Sequence, residues 1–216
     1  MSLDLPPGEV QVWWSPAAPL SPAAVATLTA EERAQHDRFH FATDRDAWGT
    51  VHVMLRRLLT GYRDHAAPLL PLAATARGKP FLPGGPAFSL SHTRGFVACC
   101  FARELEVGVD VESVERTNDW RHLLDRVTSA AEAAHLEALP AAARQQRFYE
   151  LWTLKEAWAK AIGEGLHADF RGLDVLAPPA GVHLELLPVA PPFRLAVAVL
   201  GTPSRVSARP FAAGRE

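Results

Sequence analysis

The chain has 216 residues, 48% of them hydrophobic and 21% charged, a mixture that supplies a packed core and excludes wholesale disorder. Its 22 lysines and arginines against 24 aspartates and glutamates leave a formal net charge of −2, which argues against nonspecific nucleic-acid binding. The two cysteines, Cys99 and Cys100, are adjacent and build no disulfide framework, and no segment offers the roughly 20 apolar residues of a membrane span. Met1–Val10 carries Asp4, Pro6, Pro7 and Glu9 and lacks the basic and apolar regions of a secretory signal, so a soluble, cytoplasmic protein is expected.

In chain order, residues 10–14 (Val-Gln-Val-Trp-Trp) predict a first strand. Ser21-Pro22 opens a helix with a cap and a proline at its first position, and Thr29 with Glu32 three residues on forms a capping box for a second. A third helix is predicted over about 44–62, with Val51, Leu55, Leu58 and Leu59 at helical spacing. Residues 66–86, rich in Pro, Gly and Ala, read as loop with short ordered pieces. Strands follow at 87–91, 96–102 and 106–112, the last alternating Val107, Val109, Val111 against Gly108, Asp110, Glu112. After Asn118 the pattern turns helical, over 130–139 and 144–162, and Gly163 and Gly165 stop the second of these. Short strands near 182–187 and 195–200 close the chain. The helix-then-strand order, met twice, predicts an α+β protein in two halves.

Several groups of residues could carry chemistry. Asp110 and Glu112, at i and i+2 of a strand, project from one face, where like charges repel unless a cation lies between them. Oxygen donors of this kind suit Mg²⁺ better than Zn²⁺, although a lone Asp-x-Glu also describes a strand with one wet face. Gly108 before them suggests a close approach to the backbone. On the helix Trp152-Thr-Leu-Lys155-Glu156-Ala-Trp158-Ala-Lys160, Trp152, Glu156 and Lys160 share one face at i, i+4 and i+8. Leu151, Leu154, Trp158 and Ile162 form an apolar stripe beside it. Taken alone, Glu156 and Lys160 describe an ordinary surface ion pair. His92, at a strand end in Phe88-Ser-Leu-Ser91-His92, is placed to touch a phosphate or move a proton, or simply to bond within its turn. Gly78-Lys79-Pro80 sets a lysine in a rigid loop. The remaining histidines show no metal-ligand spacing, and no P-loop, dinucleotide-binding or nucleophile-elbow motif is present.

Together and in this order, Gly78-Lys79-Pro80, Phe88 to His92, Gly108-Val-Asp110-Val-Glu112, Trp152 to Lys160 and Gly163-Glu-Gly165-Leu166 resemble the 4′-phosphopantetheinyl transferases of the surfactin-synthetase-activating type. The resemblance runs over about 29–175. It implies two similar α/β halves on a pseudo-twofold axis, residues 1–106 and 107–216, with the active site in the cleft between them. A monomer would suffice, because one chain forms the whole cleft. The implied reaction moves phosphopantetheine from coenzyme A to a serine of an apo acyl or peptidyl carrier protein and releases adenosine 3′,5′-bisphosphate. In that reaction Asp110, Glu112 and Glu156 would hold Mg²⁺. Glu156 would also be the general base, and Lys160 would stabilise the leaving group. His92 would contact a phosphate of coenzyme A, while Ser91 and Lys79 would line its nucleotide side. Lys155, about 100° around the helix from Glu156, would support.

The first half departs from the family's pattern. Where better-known members place basic residues against the 3′-phosphate of coenzyme A, the matching positions are Glu32, Gln35, Ala47 and Trp48. Arg33, Arg38, Arg45 or Arg56 are the alternative sources of charge. A non-catalytic carrier-binding homologue is therefore the competing expectation. Arg116, Arg121 and Arg126 could meet an acidic carrier helix or serve as solvated helix charges.

Overall fold

The computed structural model describes residues 3–62, 71–115 and 120–212. Strand β1 (Glu9–Pro16) leads into a short helix α1 (Pro22–Val25), where the Ser21 hydroxyl accepts from the Ala24 N–H at 3.2 Å. Helix α2 (Ala30–His36) starts on the predicted capping box: the Thr29 N–H donates to Glu32 at 2.9 Å, and the Glu32 N–H returns to the Thr29 hydroxyl at 3.2 Å. The long helix α3 (Ala42–Tyr62) follows. Of the predicted loop, residues 66–70 lie outside the described residues, as does Asn118. The described part holds the small pair β2 (Ala73–Ala74) and β3 (Pro80–Phe81), then β4 (Ala87–Thr93) and β5 (Phe96–Ala102).

The second half opens with β6 (Glu106–Ser113) and repeats the plan. A 3₁₀ turn and α4 (Leu124–Val127) lead to α5 (Ala130–Ala138), the long helix α6 (Ala141–Ala161), and the strands β7 (Val182–Leu187), β8 (Phe193–Leu200) and β9 (Arg205–Pro210). The sheets run β4-β5-β1-β9 and β7-β8-β6, so in each half a hairpin follows the long helix and its second strand pairs antiparallel with the half's first strand. The division expected at residues 106 and 107 falls at the start of β6. The final strand, missed in the sequence, crosses that line: β9 pairs in parallel with β1, from Glu9 opposite Arg205 to Trp14 opposite Pro210. Its alternation is poor and it ends in proline, the signature of an edge strand.

Three apolar cores define the layers. Helix α3 packs on one sheet through Val51, Met54, Leu55, Leu58 and Leu59 against Phe88, Val97, Cys99 and Phe101. The two sheets face each other through Val10, Val12, Cys100, Val107, Val109, Val111 and Val197. Helix α6 covers the outer face of the second sheet through Leu151, Leu154, Ala157 and Trp158 against Ala196 and Ala198. Order in depth is therefore helix, sheet, sheet, helix. The adjacent thiols obey strand alternation, Cys99 under α3 and Cys100 between the sheets. Ile162, expected in the apolar stripe of α6, is 38% exposed because it sits at the helix C-cap, where the chain turns away. Among the described residues no helix is long and apolar enough to cross a membrane.

Two ionisable groups, one half-buried and one buried, make this architecture sensitive to pH and substitution. His52 of α3 stacks on Trp48 at a 3.7 Å centroid separation, and its Nδ1 lies 2.8 Å from the Trp48 carbonyl, so that nitrogen carries the proton and donates. Burial pushes the imidazole down to about 4, against a smaller opposing effect of that hydrogen bond. Between about pH 6.5 and 4 the unfolded chain takes up a proton that the folded chain refuses. Stability should fall as the pH drops through that window, by about 3 kcal/mol at its foot. Urea titrations should find this acid limb flattened in His52→Gln; parallel losses in variant and wild type would refute the assignment. The second group is Lys155, whose ammonium lies 2.7 Å from the Glu132 carboxylate, both side chains almost wholly buried. Lys155→Met should cost about 3 kcal/mol by leaving a buried carboxylate without its cation, and Glu132→Gln added to it should recover part of the loss. A cost below about 1 kcal/mol would show that the pair is not what ties α5 to α6.

Candidate active site at the junction of the halves

The cleft is built where β4 of the first half runs beside β6 of the second. No ladder joins these strands. Instead two β4 hydroxyls take the place of ladder carbonyls: Ser89 Oγ accepts from the Val109 N–H at 3.2 Å and Ser91 Oγ from the Val111 N–H at 3.3 Å. With Val107, Val109 and Val111 turned into the inter-sheet core, Gly108, Asp110 and Glu112 face α6. The approach at Gly108 is extreme. A Cβ there would sit 2.0 Å from the Ala157 carbonyl oxygen and 2.4 Å from the Ala161 nitrogen. Only glycine lets the helix lie this close, and the close contact sets Lys160 over Asp110 and Trp152 over Glu112.

The contacts follow from that register. Asp110 Oδ1 accepts from Ser91 Oγ at 2.8 Å and from Lys160 Nζ at 2.7 Å. Both partners use the same oxygen, so Asp110 Oδ2 is buried with no hydrogen-bond partner. Glu112 Oε1 accepts from the Trp152 indole N–H at 3.0 Å, and Trp152 in turn packs on Phe170 with centroids 5.1 Å apart. Asp110, Glu112 and Glu156 are all buried. They line one cleft of about 900 Å³ together with Ser91, His92, Lys160, Phe39, Asp44, Ala47, Arg94 and Glu115. His92, exposed at its outer edge, is held below the ordinary imidazole value first by desolvation where it meets the cleft wall and second by the Lys160 charge, against weaker pulls from Asp44 and Asp110. It is therefore neutral at pH 7, able to donate from one ring nitrogen and accept at the other.

Most of the residues singled out in the sequence meet here: Ser91, His92, Asp110, Glu112, Glu156 and Lys160. Two do not. Lys79 lies outside the cleft. Its ammonium bonds Glu106 at 2.9 Å, the Val107 carbonyl at 3.3 Å and the Ala161 carbonyl at 3.1 Å. The turn at Gly78, with φ +86°, carries it to the C-terminal end of α6, where carbonyls without helical partners attract a cation. Lys155, expected in support, points away from the cleft and holds the Phe170 and Leu173 carbonyls at 2.6 and 2.7 Å as well as Glu132. Ser91 spends its hydroxyl proton on Asp110, so it orients that carboxylate. Arg94 and Glu115 line the cleft without having been singled out; a cation two residues after His92, in the turn His92-Thr93-Arg94-Gly95, was the available signal for Arg94. Arg116 lies outside the described residues, and Arg121 stacks over the Trp120 ring at 4.9 Å.

The donor set bears on a metal. All three carboxylates offer oxygen, the ligand type of hard divalent cations, and the partnerless Asp110 Oδ2 is a buried acceptor that a cation would satisfy. Among the described residues, no three of His, Cys, Asp and Glu are gathered into a group that could hold a metal ion as it stands. Lys160 now neutralises Asp110, and its 27% exposed side chain has room to move.

Comparison with known proteins bears on the family. The sequence profile of the 4′-phosphopantetheinyl transferase superfamily matches residues 106–194, from β6 through α6 to β8. The 4′-phosphopantetheinyl transferase HetI of Nostoc is 30% identical over 197 residues, 87% of this chain and 82% of its own length. A putative 4′-phosphopantetheinyl transferase of Synechocystis is 31% identical over 173 residues, 78% of this chain and 69% of its own. A holo-(acyl-carrier-protein) synthase from Bacillus anthracis, solved in complex with CoA (3′,5′-ADP), aligns with 45% of this chain and 96% of its own at a TM-score of 0.39 and 19% identity, too slight a likeness to bear on the site. The match spans both long helices and the strand that carries Asp110 and Glu112, and on it the chain belongs to the 4′-phosphopantetheinyl transferase superfamily.

Proposed function

We propose that this protein transfers 4′-phosphopantetheine from coenzyme A to a serine of an apo acyl or peptidyl carrier protein, as a Mg²⁺-dependent enzyme of the surfactin-synthetase-activating type. The observation that carries the reading is the buried, partnerless Oδ2 of Asp110 in a cleft that Glu112, Glu156, His92 and Lys160 also line. Asp110, Glu112 and Glu156 would hold the cation. When bound, Mg²⁺ would neutralise charge on the pyrophosphate beside three carboxylates. The first half, residues 1–106, would carry the nucleotide side, and residues 107–216 the metal-binding and catalytic helix.

The chain's own groups divide the remaining work. Glu156, on the cleft face of α6, accepts the proton of the carrier serine as its oxygen attacks the phosphorus next to pantetheine. The bond between that phosphorus and the bridging oxygen breaks, and adenosine 3′,5′-bisphosphate leaves with the electron pair. Lys160 exchanges Asp110 for the leaving phosphate and stabilises the charge that develops there. Neutral His92 donates a hydrogen bond to a phosphate oxygen. Trp152 holds one oxygen of Glu112, and Ser91 holds one oxygen of Asp110, so both carboxylates are oriented before substrate arrives.

Incubation with coenzyme A, Mg²⁺ and a panel of apo carriers should add about 340 Da to a carrier serine, the mass of the transferred group. Glu156→Gln should lower turnover by about 10²–10⁴-fold with its unfolding transition unchanged. No mass gain on any carrier would overturn the transferase reading in favour of a carrier-binding homologue, which predicts carrier binding without transfer. A second measurement isolates the metal. Glu112→Gln should raise the Mg²⁺ concentration needed for half-maximal binding, read by calorimetry, more than it weakens coenzyme A binding. Equal losses in both would contradict a ligand role.

A further inference from the structure

The cleft poses an electrostatic problem for an anionic substrate. Among the described residues its walls present five carboxylates, Asp44, Asp110, Glu112, Glu115 and Glu156, against two permanent cations, Lys160 and Arg94. Lys160 is committed to Asp110 at 2.7 Å. Arg94 stands in the turn between β4 and β5, two residues beyond His92. Its Nε donates to Asp44 Oδ1 at 3.2 Å, in a pair open to water, with side-chain exposures of 73% and 36%. Such exposed pairs are weak, so a stronger anion can exchange for the carboxylate. The two terminal nitrogens of Arg94 bond no described residue, which leaves the fork of the guanidinium open.

The four arginines that the sequence offered as alternative sources of charge are spent or out of reach. Arg56 is 7% exposed and grips Glu32 through Nε at 3.0 Å and Nη2 at 2.8 Å. The Arg33 guanidinium donates to the Leu28 carbonyl in the turn between α1 and α2. Neither of these, nor Arg38 or Arg45, lines the cleft. At the positions where basic residues were sought, Glu32 is bound by Arg56 and by the Thr29 N–H, Trp48 stacks on His52, and Ala47 lines the cleft with a methyl group.

The geometry points to Arg94 as the residue that recognises the terminal phosphate monoester of the nucleotide, with Asp44 as the internal anion that this phosphate displaces. The inference rests on the coenzyme A reading above and names the group that would select coenzyme A over its 3′-dephospho form. A phosphate monoester carries close to two charges at neutral pH and three acceptor oxygens, so it outcompetes a solvated monovalent carboxylate for a guanidinium fork. While the site is empty, Asp44 holds Arg94 at the cleft wall and keeps an unpaired cation from collapsing onto Glu115 or Glu112.

Calorimetric titration of the full chain with coenzyme A and with 3′-dephospho-coenzyme A, both with Mg²⁺, tests this. Wild type should prefer coenzyme A by about 10–100-fold. Arg94→Gln should reduce that preference to about threefold or less, chiefly by weakening coenzyme A. Arg94→Lys should keep an intermediate preference, a point charge replacing a fork. Asp44→Asn should leave the preference intact and hold or tighten coenzyme A, since it removes the competitor. An Arg94→Gln protein that keeps the wild-type preference, or that loses both ligands equally, overturns the inference while the transferase reading stands. Wild type that binds neither ligand overturns both.

Discussion

The whole site depends on a missing side chain. At Gly108 the backbone of β6 touches the backbone of α6 so closely that a single methyl group would lie 2.0 Å from a carbonyl oxygen. That contact sets the height of the helix above the strand, and the height decides which side chains can meet. With alternation of two along the strand and a repeat near four along the helix, Asp110 falls under Lys160 and Glu112 under Trp152. The apolar half of the same strand pins the register from below, since Val107, Val109 and Val111 are buried between the sheets and a one-residue slip would expose them.

The first half contributes through a seam of hydroxyls. Ser89 and Ser91 stand where a neighbouring strand would present carbonyls, and they satisfy the N–H groups of Val109 and Val111. Side-chain oxygens in place of a ladder join two separate sheets, and residues of both strands along this seam, Ser91 and His92 of β4 with Asp110 and Glu112 of β6, line the cleft. Ser91 then serves twice, satisfying the β6 backbone and orienting Asp110, so the joint between the halves and the arrangement of the acidic group are one structure. Lys79 and its three acceptors add a second tie between the halves, at the far end of α6.

Charge balance is managed locally and unevenly. The buried Lys155–Glu132 pair is closed: the ammonium also serves two carbonyls, and the carboxylate also takes the Val175 and Ser129 N–H groups. Nothing about it is exchangeable, which suits a group that fastens the segment 170–175 to α5 and α6. The Lys160–Asp110 and Arg94–Asp44 pairs are different, each with a partly or largely exposed cation at the cleft wall. Ion pairs of that kind keep an anion site neutral while it is empty and cost little to exchange. Two lysines five residues apart on one helix thus have opposite characters, and burial alone separates them.

Local order was written plainly in the chain. The capping box at Thr29, the proline at the start of α1, the two long helices, the hairpin of β4 and β5 and the alternation in β6 depend on neighbours a few residues away, so short-range periodicity and cap chemistry predict them. The shared face of Trp152, Glu156 and Lys160 was equally legible, because an α-helix fixes it whatever surrounds the helix. Strand β9 was not, since its place is set by pairing with β1, almost two hundred residues earlier, and its own sequence alternates weakly. Lys79 and Lys155 looked like site residues because a lysine's reach is long and its direction is set by what it meets; only the packed chain shows one capping α6 and the other neutralising Glu132. Arg94 came into view for the converse reason, a turn residue without periodic signal that tertiary packing carries to the cleft beside His92 and Asp44. The sequence by itself determined most of the elements, the acidic strand, the helix face opposite it and the family resemblance, all short-range or ordered along the chain. Tertiary structure alone decided which cations face the cleft and which are locked away, because charge partners are chosen by distance in space and by the water left between them.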